Sequence, residues 1–312
     1  MSPKSLWNII KRSFADFYSS NILKLSASLA FTTIFSVPGL LIIVIWCSNI
    51  FYRREVIEGT IYKQVSKYIG KDVAASIQEA MTNSIQTRGG QLATIIGFAA
   101  LLVGATGVFG EIQGSINHIW RLKVKPNKGM AWVLLIFNRL LSFSMIISFG
   151  FILLVSLVIN GAMDLVINRL LQNFPEITVV VLYIVNIILS FFITAFIFGL
   201  IFKVLPDAKI KWKEVTAGAF TTAIFFMIGR FLISSYLVHT RISTAYGAAG
   251  SIIVFLLWAY YSSIILYFGA AFTKEYAIET GSKIYPSKYA VWVEELEVVS
   301  KQPLSKENEK VQ

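Results

Sequence analysis

The chain has 312 residues, of which 56% are hydrophobic and 14% charged, with a mean hydropathy of +0.68. Soluble domains are about a quarter charged, so this composition excludes an ordinary soluble protein and identifies a polytopic membrane protein. One cysteine, Cys47, excludes an intrachain disulfide; two histidines, His118 and His239, argue against a His-rich metal centre; and the net charge of +11 points to basic loops against anionic lipid rather than to nucleic acid.

Residues 3–20 are expected to form an interfacial helix. Leu6, Trp7, Ile10, Phe14 and Phe17 fall on one side, and Lys4, Asn8, Lys11 and Arg12 largely on the other. The first span is read at about 25–51. It is too long for a signal-peptide core and lacks a small-residue cleavage site, so a retained span is expected. Its first half carries Ser26, Ser28, Thr32, Thr33 and Ser36, and Pro38 removes a backbone donor and predicts a kink. The hydroxyls serve either helix packing or the lining of a polar cavity. Residues 51–90 are hydrophilic, with Ile57, Ile61, Val65, Tyr68, Ile69, Val73, Ile77, Met81 and Ile85 stepping at three and four. That periodicity predicts amphipathic helix over the outer face of the bundle.

The second span, about 92–120, is the most distinctive stretch. Gly97, Gly104, Gly107, Gly110 and Gly114 recur near one helical face. Each glycine weakens a helix in water by about 1 kcal/mol relative to alanine, but in lipid a glycine face admits a close neighbour. Packing is therefore expected there, with Glu111, Asn117 and His118 at a polar cytoplasmic end. Further spans are read at about 131–159, 177–202, 215–238 and 247–272. The expected architecture is all-α: six transmembrane helices in one domain over 1–299, followed by a disordered cytoplasmic tail over 300–312.

Orientation follows from lysine and arginine. Four precede the first span, four lie between the second and third spans, four between the fourth and fifth, and six in the tail. The two short outer loops hold only Arg169 and Arg241. Both termini are thus expected in the cytoplasm; the six basic residues of the long first outer loop weigh less.

Across these spans, Leu29-Ala30-Phe31 with Ser36 and Pro38, Thr106-Gly107-Val108-Phe109, and Asn117 with Trp120 occur in order. Leu205-Pro206, Trp212 with Gly218-Ala219, and Tyr246-Gly247 with Gly250-Ser251 follow. Phe255-Leu256-Leu257-Trp258, Gly269-Ala270 and Phe272-Thr273 complete the series. In this order and spacing the chain resembles the YihY/BrkB family of bacterial inner-membrane proteins, formerly labelled ribonuclease BN. The resemblance implies a multi-pass inner-membrane protein, with virulence, serum resistance and an old tRNA-processing label attached to the family name, and makes envelope transport a plausible role. Ala271 stands where many members carry a glutamate, so no role of that carboxylate is carried over.

The residues argue against a nuclease. Asp207, Glu214, Glu111 and His118 lie on different segments, without the clustered ligands of metal-assisted hydrolysis. There is no aromatic-basic RNA platform, phosphate loop or nucleophile elbow. No catalytic residue, metal site or cofactor is therefore expected. The informative charges are Arg139, about 12 Å into the third span, and Arg230, toward the outer side of the fifth. Each is either a structural, snorkelling or paired charge, or an anion site. Glu111 and Arg139 are expected to pair, and Asn117 belongs to the same polar set. Opposed halves of three spans permit an inverted repeat, but the halves show no sequence match. The leading functional expectation is handling of an anionic amphipathic envelope molecule such as a lipid, with membrane lipids as partners. The alternative is a scaffold or envelope-assembly factor.

Overall fold

The computed structural model describes residues 3–34, 107–125, 175–240 and 248–294. Six helices and four short strands occur among them. Helix α1 is Pro3–Ser19, α2 is described over Ile22–Ile34, and α3 over 107–119. The long helices are α4, Pro175–Val204, α5, Trp212–Thr240, and α6, Ala248–Glu279. Strand β1 is Leu122–Val124, β2 is Ala208–Lys209, β3 is Tyr285–Pro286 and β4 is Ala290–Trp292.

Local chemistry explains where the helices stop. Asn21, at φ 51°, turns α1 into α2, a conformation asparagine tolerates. Pro175 opens α4 with φ already set, and Pro206 follows its end. Helix α6 closes in a Schellman motif: Gly281 adopts φ 71°, its N–H donates to the Ile278 carbonyl and that of Ser282 to the Ala277 carbonyl.

Within α4, α5 and α6, the stretches Ile184–Val204, Trp212–Ile233 and Ile252–Glu279 are each long and apolar enough to cross a membrane. These agree with the fourth to sixth expected spans. Helix α6 continues seven residues past the expected boundary at 272, because its charged last turns pack on α1. Where the first span is expected, α2 begins at Ile22; where the second is expected, α3 ends at 119. The expected third span, the outer segment 51–90 and the tail 300–312 lie outside the described residues.

Helix α5 runs beside both α4 and α6, and α1 packs on α6. Ile22 and Leu29 of α2, Ile116 and Ile119 of α3, Phe202 of α4, Val215 of α5 and Tyr267 of α6 enter one core. Ala271 is fully buried in it, so the position at which the family resemblance implies a carboxylate is here an apolar contact. Conversely, Phe192, Phe196, Ile228 and Phe231 face outward, as lipid-facing residues of a bundle do.

The all-α expectation missed the strands. β1 pairs antiparallel with β4, Lys123 opposite Val291, and β2 with β3, Lys209 opposite Tyr285. The chain after α6, expected only as a charged tail, folds back as an open hairpin whose strands β3 and β4 pair not with each other but one with each of the connections carrying β2 and β1. Strands of two or three residues carry no readable period; their partners are distant in sequence and supplied by the fold.

Helix α1 is amphipathic as expected, but it has three sides rather than two. Ile9 and Ser13 are buried against the protein, Leu6, Trp7, Phe14 and Tyr18 face outward, and Lys4, Lys11 and Arg12 form the polar side. Phe14 and Phe17 reach Phe268 of α6, with ring centroids 5.1 and 6.4 Å apart.

Candidate functional site

The ends of α3, α4, α5 and α6 meet in a polar cap, and Asp207 is its centre. It lies just beyond the helix-terminating Pro206 and is 3% exposed. Asn117, in the last turns of α3, grips it twice: the amide Nδ2 donates to Oδ2 over 2.7 Å, and the Asp207 backbone N–H donates to Asn117 Oδ1 over 2.9 Å. One turn earlier on α3, Gln113 Nε2 donates to both carboxylate oxygens at 3.1 Å. From the C-terminal hairpin, Tyr289 donates its hydroxyl to Oδ1 over 3.0 Å, and the Ser287 N–H donates to the Asp207 carbonyl. A carboxylate offers about four lone-pair positions, and all are taken. Among the described residues no lysine or arginine pairs with Asp207; neutral donors hold its charge. Burial first, and then the Asp207 carboxylate, push the Tyr289 phenol up to about 12.

A second network surrounds Lys274, which is 5% exposed near the end of α6. Its ammonium lies 2.5 Å from Asp16 of α1 and 3.5 Å from Glu275, and donates to the Ile119 carbonyl at the end of α3 over 3.3 Å. Beside it, Trp120 Nε1 donates to the Ala270 carbonyl. At the rim, Glu279 accepts from Ser5 and pairs with Arg12. A third network joins Glu214, in the first turn of α5, to the Ser282 hydroxyl that follows α6.

The α5–α6 contact is made by reciprocal small residues. A Cβ at Gly218 would overlap Thr273, and one at Gly269 would overlap Thr222. Each threonine hydroxyl donates within its own helix, Thr222 to the Gly218 carbonyl and Thr273 to the Gly269 carbonyl, both at 2.7 Å. Further along, a Cβ at Gly229 would strike Tyr261.

These positions differ from those expected of the glycine stripe. Gly107 approaches α2, where its added Cβ would lie 3.4 Å from Thr32, but at Gly110 and Gly114 no described atom comes within 4 Å. The close approach expected at those two is not made by any described element, because the inward side of α3 carries Ile112, Ile116 and Ile119 instead. Gly97, Gly104 and Pro38 lie outside the described residues.

Of the four charged and polar site residues expected from the sequence, the three described ones, Asn117, Glu111 and Arg230, take separate places. Asn117 is committed to Asp207. Glu111 is half-buried and within electrostatic reach of Tyr267; its expected partner Arg139 lies outside the described residues. Arg230 projects outward from α5, 18 residues beyond Trp212 and so about 27 Å along the axis from the cap. The sequence reading missed Gln113, Tyr289, Asp16 and Lys274 as partners. The available signals were the position of Asp207 immediately after Leu205-Pro206, and the Lys274-Glu275 pair directly behind an apolar run. Among the described residues no three His, Cys, Asp or Glu side chains form a metal-holding group. Chemically, the Asp207 carboxylate is saturated and acts as a connector; a base or metal ligand would need a free lone pair.

Three long apolar helices tied at one end by a buried polar cap define an integral, multi-helix membrane protein. The family model described as "Virulence factor BrkB" matches residues 13–289, and the chain belongs to that family. It is 24% identical over 254 residues to a UPF0761 membrane protein of Vibrio vulnificus, covering 78% of this chain and 74% of that one. It is 25% identical over 264 residues to a UPF0761 membrane protein of Nitrosospira multiformis, covering 81% and 57%. A third, from Yersinia enterocolitica, is 26% identical over 186 residues, covering 58% of this chain and 57% of its own. No solved structure matches.

Proposed function

We propose that this chain is a six-span bacterial inner-membrane protein, with both termini in the cytoplasm, that handles an anionic amphipathic envelope molecule such as a lipid. The observation that carries this reading is Arg230. It is a cation that projects outward from an apolar span, about 27 Å along α5 from the cap. The neighbouring Ile228, Phe231 and Leu232 are outward-facing too, Phe231 at 75% exposure. In a hydrocarbon core about 30 Å thick, that distance puts the guanidinium toward the outer interface, where it can meet protein, water or an anionic headgroup. A molecule with an anionic headgroup and acyl chains fits both features: the headgroup meets the exposed side of a guanidinium that is also engaged within the protein, and the chains lie along the apolar side chains.

The cap supports a second reading, a membrane scaffold or assembly factor. Asp207 ties α3, the α4–α5 connection and the C-terminal hairpin into one hydrogen-bonded unit, which suits a rigid platform as well as a transporter. Under both readings the chain is not an enzyme, and the old ribonuclease label finds no support in its residues.

Reconstitution separates the two. Proteoliposomes containing a fluorescent phosphatidylglycerol, quenched from outside by dithionite, should show lipid movement with the wild type and loss of it with Arg230→Gln at unchanged melting temperature. Movement no faster than in protein-free liposomes would favour the scaffold.

A further inference from the structure

The cap end of the molecule carries a surface distinct from Arg230 and independent of the transport reading. The connection after α3 exposes Arg121, Lys123 and Lys125; the connection before α5 exposes Lys209, Lys211 and Lys213; the C-terminal hairpin exposes Lys283 and Lys288. Across residues 121–125, 205–214 and 280–294 these eight bases face outward against one outward-facing acid, Glu294. The other two acids, Asp207 and Glu214, are buried and engaged internally. Among the described residues of these three segments, bases thus outnumber acids at the surface and two of the three acids are turned inward.

The fold gathers these bases with aromatic side chains. Pairing of β2 with β3 sets Lys209 opposite Tyr285, and pairing of β1 with β4 sets Lys123 beside the Trp292 end of the hairpin. Lys203, at the end of α4, bonds the Ile210 carbonyl and stands 5.5 Å over the ring of Trp212. Tyr285, Trp292 and Trp212 are each about half exposed. All of this lies where the apolar stretches of α4, α5 and α6 end, at Val204, Trp212 and Glu279. Tryptophan and tyrosine favour that level of a bilayer, and lysines there attract anionic headgroups.

We propose that the two basic connections and the C-terminal hairpin form a collar that binds the phosphate headgroups of anionic lipids in the adjacent leaflet. A soluble polyanion such as RNA would meet the same charge, but the aromatic residues at the ends of the spans favour a ligand that is itself in the membrane.

The test uses the full chain purified in mixed micelles holding equal amounts of phosphatidylglycerol and phosphatidylcholine, with the retained lipids counted by class at 0.1 M and 0.5 M salt. Phosphatidylglycerol should be retained several-fold over phosphatidylcholine, and high salt should weaken the preference. The triple change Lys209→Gln, Lys211→Gln, Lys213→Gln should bring it close to equal retention of the two lipids; Lys123→Gln with Lys125→Gln is a second, separate probe should the first fail to fold. The collar variants should still move lipid in the proteoliposome assay, so a failed collar and a failed transport reading give different results. An unaltered preference in a collar variant that melts like wild type would overturn the proposal, as would displacement of the phosphatidylglycerol by a single-stranded RNA oligonucleotide.

Discussion

Asn117 and Asp207 hold each other by two hydrogen bonds of opposite sense, side-chain amide to carboxylate and backbone N–H to amide oxygen. The pair joins the last turns of α3 to the α4–α5 connection, segments separated by 90 residues. Leaving a buried charged group without its donors costs about 1–3 kcal/mol or more. Asn117→Leu should therefore lower the melting temperature of the purified protein, and Asp207→Asn should do so as well. Because both act on one contact, the double change should lose less than the sum of the two. Additive losses would mean that the two residues act separately.

The α5–α6 contact predicts a contrast among glycines. Gly218→Val and Gly269→Val drive new methyl groups into Thr273 and Thr222 on the facing helix, and folded yield should fall sharply, since overpacking costs about 1–3 kcal/mol or more. Gly110→Ala and Gly114→Ala, where no described atom is near, should be neutral or slightly stabilising, because alanine is the better helix former. Size-exclusion yield of the four variants checks this; equal losses at all four would place the close contact of α3 elsewhere.

Lys274 should be the most sensitive charged residue of the cap. Lys274→Met leaves Asp16 and Glu275 buried without their cation, and breaking a buried ion pair from one side costs about 3–5 kcal/mol. Lys274→Met combined with Asp16→Asn should recover part of that loss. Thermal melting of the three proteins decides it, and a Lys274→Met protein as stable as wild type would show that the pair contributes nothing to the fold.

Alkaline pH should loosen the cap through Tyr289. Its phenol is pushed up to about 12 from the usual value of 10.0, so the folded state holds this proton more tightly than the unfolded chain does. The associated stability is fully present below pH 10 and is lost as pH rises through about 12. Tyr289→Phe should flatten that segment of the stability–pH curve while lowering stability at neutral pH by the loss of the bond to Asp207. Melting curves from pH 9 to 12 provide the comparison, and parallel curves for both proteins would rule out the assignment.

Topology has its own test. Reporter fusions after Lys125, after Lys211 and at the C-terminus should register as cytoplasmic, and fusions near Lys71 and Arg241 as exterior. Any exchange between those two groups would break the six-span reading.

What the sequence by itself determined about this protein is its solvent. Runs such as those within α4, α5 and α6 are readable because bilayer thickness demands about 20 consecutive apolar residues, a local and additive property. The ordered motifs from Leu29 to Thr273 sufficed to place the family. Helix α1 was legible for a similar reason, since its period lies within 17 residues. The partnerships of the cap were decided only by the tertiary structure. Asn117 and Asp207 carry no mark of each other, and neither do Lys274 and Asp16 or Gly218 and Thr273. A buried polar group needs a partner, but any of several distant residues can satisfy it, and the folded path of the chain selects which one. The same holds for the collar: its lysines are visible in sequence as three separate basic stretches, and they become one surface only because residues 285–292 return to pair with β1 and β2.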